Sequence, residues 1–169
     1  MQSVKRQLVE SRGGSLTPAV AKAGTGMRPL EATEALIAAA GGLGGCDAAE
    51  LQAEGSRLLA GMWGGAELMP GAARALRHLA ASGVPLALAT SSPAHSVAAK
   101  VARHPILTAK ADGKADGMAD GGGGGGVFEA VVTGDEVARG KPHPDCFLLA
   151  MERVLGKGAD PRRVIVSVI

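Results

Sequence analysis

Two stretches of the chain carry residue types that could hold an anion. In "LALATSSPAHS", Leu86 to Ser96, an apolar run ends on Thr90, Ser91 and Ser92, three hydroxyls in succession before Pro93. Hydroxyl donors and free backbone N–H groups at a helix start suit a dianionic phosphate, which the positive end of the helix dipole also favours. By itself the stretch better fits a plainer role, with Ser92 as an N-cap and the other two as turn residues. Fifty residues on, "ARGKPHPDCF" sets Lys141 between Gly140 and Pro142, just ahead of a helix start. The restrained backbone can aim its ammonium at the same crevice. A lone lysine of this kind is usually a solvated surface group; the two stretches together are more specific than either.

Positioning these groups requires an α/β layer. "VPLALAT", Val84 to Thr90, is continuously apolar and reads as a strand buried on both faces of a parallel sheet. Ser92 as N-cap and Pro93 as first helical residue then open a helix with Ala94, Val97, Ala98 and Val101 facing inward. A second short strand, "EAVVTG", and a helix from Pro144 to about Leu155 repeat the unit, and "RRVIVSVI" reads as a third strand. Ahead of this layer, "RPLEATEALIAAAGG" puts Leu30, Thr33, Ile37 and Ala40 on one helical face. Asp47 and Glu50, at capping-box spacing, start a helix with an Ala48, Leu51, Gly55, Leu58 and Met62 stripe. These two form a helical hairpin. A further helix over "LMPGAARALRHLAASG" closes on Gly83.

The expected organisation is an irregular N-terminus over residues 1–25, a helical segment over 26–66, and a partial α/β core over 67–169. A flexible glycine-rich insertion at about 109–126 interrupts the core, with three Ala-Asp-Gly triplets and six consecutive glycines. Asp112, Asp116 and Asp120 in it match no calcium-loop spacing and read as a solvated loop.

Apolar residues make up 46% of the 169, but with two Phe, one Trp and no Tyr the packing must rely on Ala, Leu and Val. A net charge of +2 with mixed signs gives no footprint for nucleic acid or an anionic membrane. No apolar run approaches the length of a membrane span. Cys46 and Cys146 have no CxxC or paired-His spacing and read as reduced thiols of a cytoplasmic protein. The N-terminus lacks a secretory apolar stretch, while its basic and hydroxyl residues leave organelle targeting open.

"LALATSS" followed by "GKPHPDCFLLA" resembles the second and third motifs of the haloacid dehalogenase superfamily of phosphohydrolases. The likeness is to the branch with a small helical cap, which includes pseudouridine-5'-phosphatase, sugar-phosphate phosphatases and β-phosphoglucomutase. "GMRPLEATEAL" and "ELMPGAARALRHL" resemble that branch in the same order. The resemblance implies a Rossmann-like core, here incomplete, with a parallel sheet, flanking helices and a small helical cap. It implies that Thr90 binds the transferred phosphoryl group, that Ser91 is the adjacent backbone donor, that Lys141 neutralises the charge, and that Arg28 faces substrate from the cap. The implied substrate is a small phosphorylated metabolite, with magnesium as cofactor.

The sequence also departs from the family. Its nucleophile and general acid are the two aspartates of a DxD motif, and no DxD occurs in this sequence, nor any aspartate in its first 25 residues. Where the family's acidic pair would hold magnesium, this chain reads Ser167, Val168 and Ile169. Asp135 and Glu136 lie near the expected crevice and read as surface acids. In relatives the missing first strand lies between the strand ending at Thr90 and the one matching Val164 to Val168. Its loss predicts either that the last strand closes against Val84 to Thr90 or that "VKRQLVE" fills the gap. No catalytic residue and no metal ligand is therefore assigned, and an incomplete or alternatively spliced product is favoured. The expectation is a phosphatase by ancestry without turnover; the alternatives are a non-catalytic module binding phosphate metabolites or a protein, or an unstable product. His143 with Cys146 lacks an orienting partner for catalysis, His78, His95 and His104 read as surface residues, and Trp63 reads as cap packing.

Overall fold

The computed structural model describes residues 2–109 and 125–167. Most of the glycine-rich insertion, Asp112, Asp116 and Asp120 included, lies outside the described residues.

Four helices build the first layer: α1 (Gln2–Glu10), α2 (Pro18–Lys22), α3 (Pro29–Ala39) and α4 (Ala48–Ala60). Their starts follow local chemistry. Thr17 caps α2 by accepting from the Val20 N–H at 3.3 Å, and Pro18 occupies the first helical position, where its missing N–H costs nothing. Asp47 caps α4 through the Glu50 N–H at 2.9 Å. Val4, Leu8 and Val9 of α1 bury against Val20, Leu36, Leu43 and Leu51, forming one apolar cluster. Gly55 lets α1 approach α4: a Cβ there would stand 3.2 Å from Leu8 Cδ1. Lys5 Nζ donates to the carbonyls of Ala21 and Ala23 at the end of α2, a helix terminus that favours a cation. Arg12 pairs with Glu54 of α4 at 2.6 Å.

The second layer is a two-stranded parallel sheet, β1 (Ala87–Ala89) beside β2 (Ala130–Val132), with Leu88 opposite Val131. The crossover between them carries α6 (Ala94–Val101). Side-chain alternation sends Leu88 and Val131 to one face, where they meet Leu76 and Ala80 of α5 (Ala72–Ala81) together with Phe128. Ala89 and Val132 turn to the other face, against Cys146 and Ala150 of α7 (Asp145–Leu155). Both sheet faces are thus covered by helices, as an α/β core requires.

Several expectations are corrected. The N-terminal residues read as irregular form α1 and α2, and "VKRQLVE" is a helix in the cap cluster rather than a substitute strand. Its Val4 and Leu8 lie one helical turn apart, the period of an amphipathic helix. In α3 the buried residue is Leu36; Leu30 is exposed, as is Met62 beyond α4. The run Val84 to Thr90 is not a strand buried on both faces. Only Ala87–Ala89 forms the strand, Val84 and Ala87 are exposed, and β2 is the sole neighbour of β1 among the described residues. "RRVIVSVI" does not form a third strand over its described residues: after a 3-10 turn at Pro161–Arg163 it is extended and unpaired, with Ile165 94% exposed.

Leu51 is wholly buried at the centre of the cap cluster. Leu51→Ala should lower stability by about 2–5 kcal/mol through lost contacts and the cavity left behind. A thermal melt checks this, and an unshifted midpoint would show that the cluster does not hold the cap.

Candidate functional site

The carboxyl end of β1 carries the hydroxyl residues. Thr90 continues the ladder, its N–H donating to Val132 O at 3.0 Å. Its Oγ1 then turns back to accept from the Ser92 N–H at 3.1 Å, a local turn bond of the kind threonine favours. Ser91 Oγ donates to Gly26 O at 2.6 Å, joining the loop to the segment that leads into the cap. Ser92 does not cap α6. Pro93 holds the N-cap position, and the exposed Ala94 N–H donates instead to the Asp135 carboxylate at 3.2 and 3.3 Å. Ser92 Oγ accepts from Lys100 Nζ at 2.8 Å, and that ammonium sits 4.1 Å from the centre of the Trp63 ring. Burial lowers the Lys100 pKa. Trp63 thus ties the far end of the cap to the same loop.

The loop after β2 lies directly on this one. Gly134 N donates to Ser92 O at 2.9 Å, and a Cβ on Gly134 would fall 2.3 Å from Ser91 O, so only glycine permits the approach. Asp135 and Glu136, read as surface acids, serve as local scaffolding. Asp135 accepts from Thr133 Oγ1 as well as Ala94, and these bonds hold its carboxyl below the usual range. The Glu136 carboxyl is lowered by Arg153 first, then by the Thr133 N–H, which donates to it at 2.8 Å. The signal that could have found Asp135 is weak, because the helix it caps begins 41 positions earlier.

Lys141 reaches the same place from the third side. Its Nζ donates to Ala89 O at 3.2 Å, one residue before Thr90, and rests 4.6 Å from the centre of the Phe147 ring. Thr90, Ser91 and Lys141 therefore share the end of one strand, and Arg28 shares a pocket with Lys141 without contacting the hydroxyl loop. Its guanidinium binds Glu31 through Nε at 2.9 Å and donates from Nη1 to Ala138 O at 3.1 Å. Arg28 and Lys141 line a pocket of about 310 Å³ at the seam of cap and core, together with Glu31, Arg139 and His143. Arg139 is itself held by Asp145 through two bonds of 3.0 and 2.8 Å. Gly140 is confined here: a Cβ would meet Arg28 Cγ at 2.7 Å and Glu31 Oε2 at 2.8 Å. Cys146 is buried under β2, His143 lines the pocket, and His104 Nε2 lies 2.7 Å from Ala66 O.

A family model for haloacid dehalogenase-like hydrolases matches residues 15–166. The chain belongs to this family. (DL)-glycerol-3-phosphatase 1, mitochondrial, of Arabidopsis thaliana is 32% identical over 143 residues, which are 83% of this chain and 42% of that one. The protein named probable pseudouridine-5'-phosphatase of Drosophila melanogaster is 44% identical over 91 residues, 52% of this chain and 32% of the relative. This haloacid dehalogenase-like chain thus spans half or less of the length of these curated relatives. A crystal structure described as "putative beta-phosphoglucomutase from Thermotoga maritima" shares the fold with a TM-score of 0.51 at 24% identity, covering 96% of this chain and 65% of that one.

Magnesium, which the family implies, does not fit the donors present. Among the described residues no three His, Cys, Asp or Glu side chains converge, and the two carboxylates nearest the hydroxyl loop are engaged by Thr133, Ala94 and Arg153.

Because the folded-state pKa of Asp135 is depressed, its bonds stabilise the fold above the ordinary carboxylate pKa and lose that contribution as pH falls through the lower, folded value. Asp135→Asn should flatten the acid side of the melting-temperature profile, and equal acid slopes in the two proteins would refute this role.

Proposed function

We propose that the crevice at the end of β1 binds the phosphate group of a small phosphorylated metabolite, with Thr90 and Ser91 as donors and Lys141 as countercharge. The observation that carries this is the Lys141 ammonium at 3.2 Å from Ala89 O, brought from 52 positions away to the strand end where the hydroxyls cluster. A point charge so placed suits a dianion, and bonds from ammonium to phosphate, with both partners charged, are stronger than the contact with an uncharged carbonyl it now makes. The relatives' names point to hydrolysis of phosphomonoesters of the glycerol phosphate or pseudouridine phosphate class as the ancestral reaction. Arg28, facing Lys141 across the seam pocket, would meet the remainder of such a molecule from the cap.

Within these 169 residues the reading stops at binding. Phosphoryl transfer to the protein needs a carboxylate in line with the ester, and the DxD pair that supplies it in the family does not occur in this sequence. Asp135 cannot stand in without giving up the Ala94 and Thr133 bonds that hold the two loops together. Two free cysteines support a reducing compartment, and the cytoplasm is the location this reading takes. No described helix is long and apolar enough to cross a membrane.

Thermal melts of the 169-residue chain with inorganic phosphate and with glycerol phosphate test the binding, alongside phosphate release with magnesium present. At ligand tenfold above Kd the linkage stabilisation is about 1.4 kcal/mol, a rise of a few degrees. Lys141→Ala should lose that rise while keeping its own unliganded transition, and release should stay at background. A rise that survives the substitution, or none in the parent chain, overturns the binding site. Magnesium-dependent release by the parent chain overturns the absence of turnover.

A further inference from the structure

The open side of β1 and the exposed end of the described chain are complementary. Backbone groups alternate along a strand, and the bonds Glu129 N to Leu86 O and Thr90 N to Val132 O direct residues 86, 88 and 90 at β2. Ala87 and Ala89 therefore face the opposite edge. Ala89 O accepts from Lys141; the Ala89 N–H and both backbone groups of Ala87 have no hydrogen-bond partner among the described residues. Ala87 is exposed, and the strand's own three residues are neither proline nor charged, although Pro85 flanks them and the Lys141 ammonium covers Ala89 O. The backbone groups of Ala87 and the Ala89 N–H between these two guards are left open, and such groups can template another strand.

The second half of the match is residues 164–166, Val-Ile-Val. Val164 has extended dihedrals, φ −112° and ψ 131°, and β-branched residues favour that conformation. Their exposures are 36, 94 and 59%, an apolar run left in water. It lies outside any ladder, although an unpaired edge of equal length, three residues, exists in the same molecule.

We propose that two copies of this chain associate by strand exchange, residues 164–166 of each adding to the open edge of β1 in the other. The occupant is a second copy because each chain carries one such edge and one such segment, and its own segment is not seated on its own edge. Reciprocal exchange satisfies both sets and closes at two copies. Main-chain bonds to both groups of Ala87 and to the Ala89 N–H supply the pairing, and alternate side chains of the segment gain apolar cover. The inference does not require phosphate binding, but the two meet at Ala89 O, where Lys141 sits at the end of the same edge.

Sedimentation velocity of the 169-residue chain over a wide concentration range is the test, with two variants aimed at opposite sides of the contact. The parent chain should reach twice its monomer mass. Ala87→Pro removes an outward N–H that β2 does not use, and Ile165→Lys charges a side chain that the monomer leaves in solvent; each should leave a monomer with its melting transition intact. Mixing a chain carrying Ala87→Cys with one carrying Ile165→Cys, under mild oxidation, should yield a covalent pair containing one of each. A parent chain that is monomeric throughout, a dimer that survives both substitutions, or a cross-link formed no faster than with cysteine at the equally solvent-facing Lys157 would each overturn the proposal.

Discussion

The molecule depends on a parallel pair of strands only three residues long. Parallel ladders are stable when both faces are buried, and a pair this short supplies too few backbone bonds to stand alone. Here α5 covers one face through Leu76 and α7 covers the other through Cys146 and Ala150, so side-chain alternation in β1 and β2 divides one small sheet between two apolar clusters. Each of the hydroxyl residues, the glycine that admits the second loop and the reach of Lys141 is positioned by where those two strands end. The strands end together because Leu88 stands opposite Val131 and Thr90 still bonds to Val132.

From that anchor the cap is tied down at three places. Ser91 holds Gly26, Arg28 holds the carbonyls of Val137 and Ala138, and Trp63 stacks under Lys100. Each tie joins a segment flanking the cap helices to a loop at the strand ends or to α6. Movement of the cap therefore has to rearrange hydrogen bonds in the loops that would hold an anion. The cap's own stability is separate, resting on the α1, α3 and α4 cluster around Leu51, which shares no residue with the clusters of the core.

Much of this organisation was legible in the sequence where a local signal was strong. Asp47 announced α4, and the switch from helical period to a continuous apolar run announced β1. The hydroxyl cluster and Lys141 pointed to each other before any geometry was known. What stayed hidden was set by distant partners. α1 is a nine-residue helix whose only buried residues are Val4, Leu8 and Val9, and its pattern means something only once Leu51 and Leu36 are placed beside it. The cap of α6 comes from Asp135 rather than from the adjacent Ser92, because Lys100 takes the serine hydroxyl. Composition suited "RRVIVSVI" to a strand, yet a strand is a relation between two segments, and residues 164–166 lie beside no other strand among the described residues.

The same reasoning bears on how the strand-end hydroxyls can serve an anion. None of the three groups is idle: Thr90 Oγ1 accepts from Ser92, Ser91 Oγ donates to Gly26, and Lys141 donates to Ala89. A neutral hydrogen bond nets about 0.5–1.5 kcal/mol, and one to a charged group about 1.5–3 kcal/mol. The Lys141–carbonyl contact already has one charged partner, so exchanging it for an ammonium–phosphate contact gains through the second, opposite charge. Exchanging the Ser91 bond gains less, because it loosens a tie to the cap. Thr90 sits between these cases, for its hydroxyl proton is free to donate while the oxygen keeps accepting from Ser92. In the proposed phosphate site Lys141 and Thr90 would therefore lead, with Ser91 donating from its backbone N–H and adding its hydroxyl only where the cap segment at Gly26 moves.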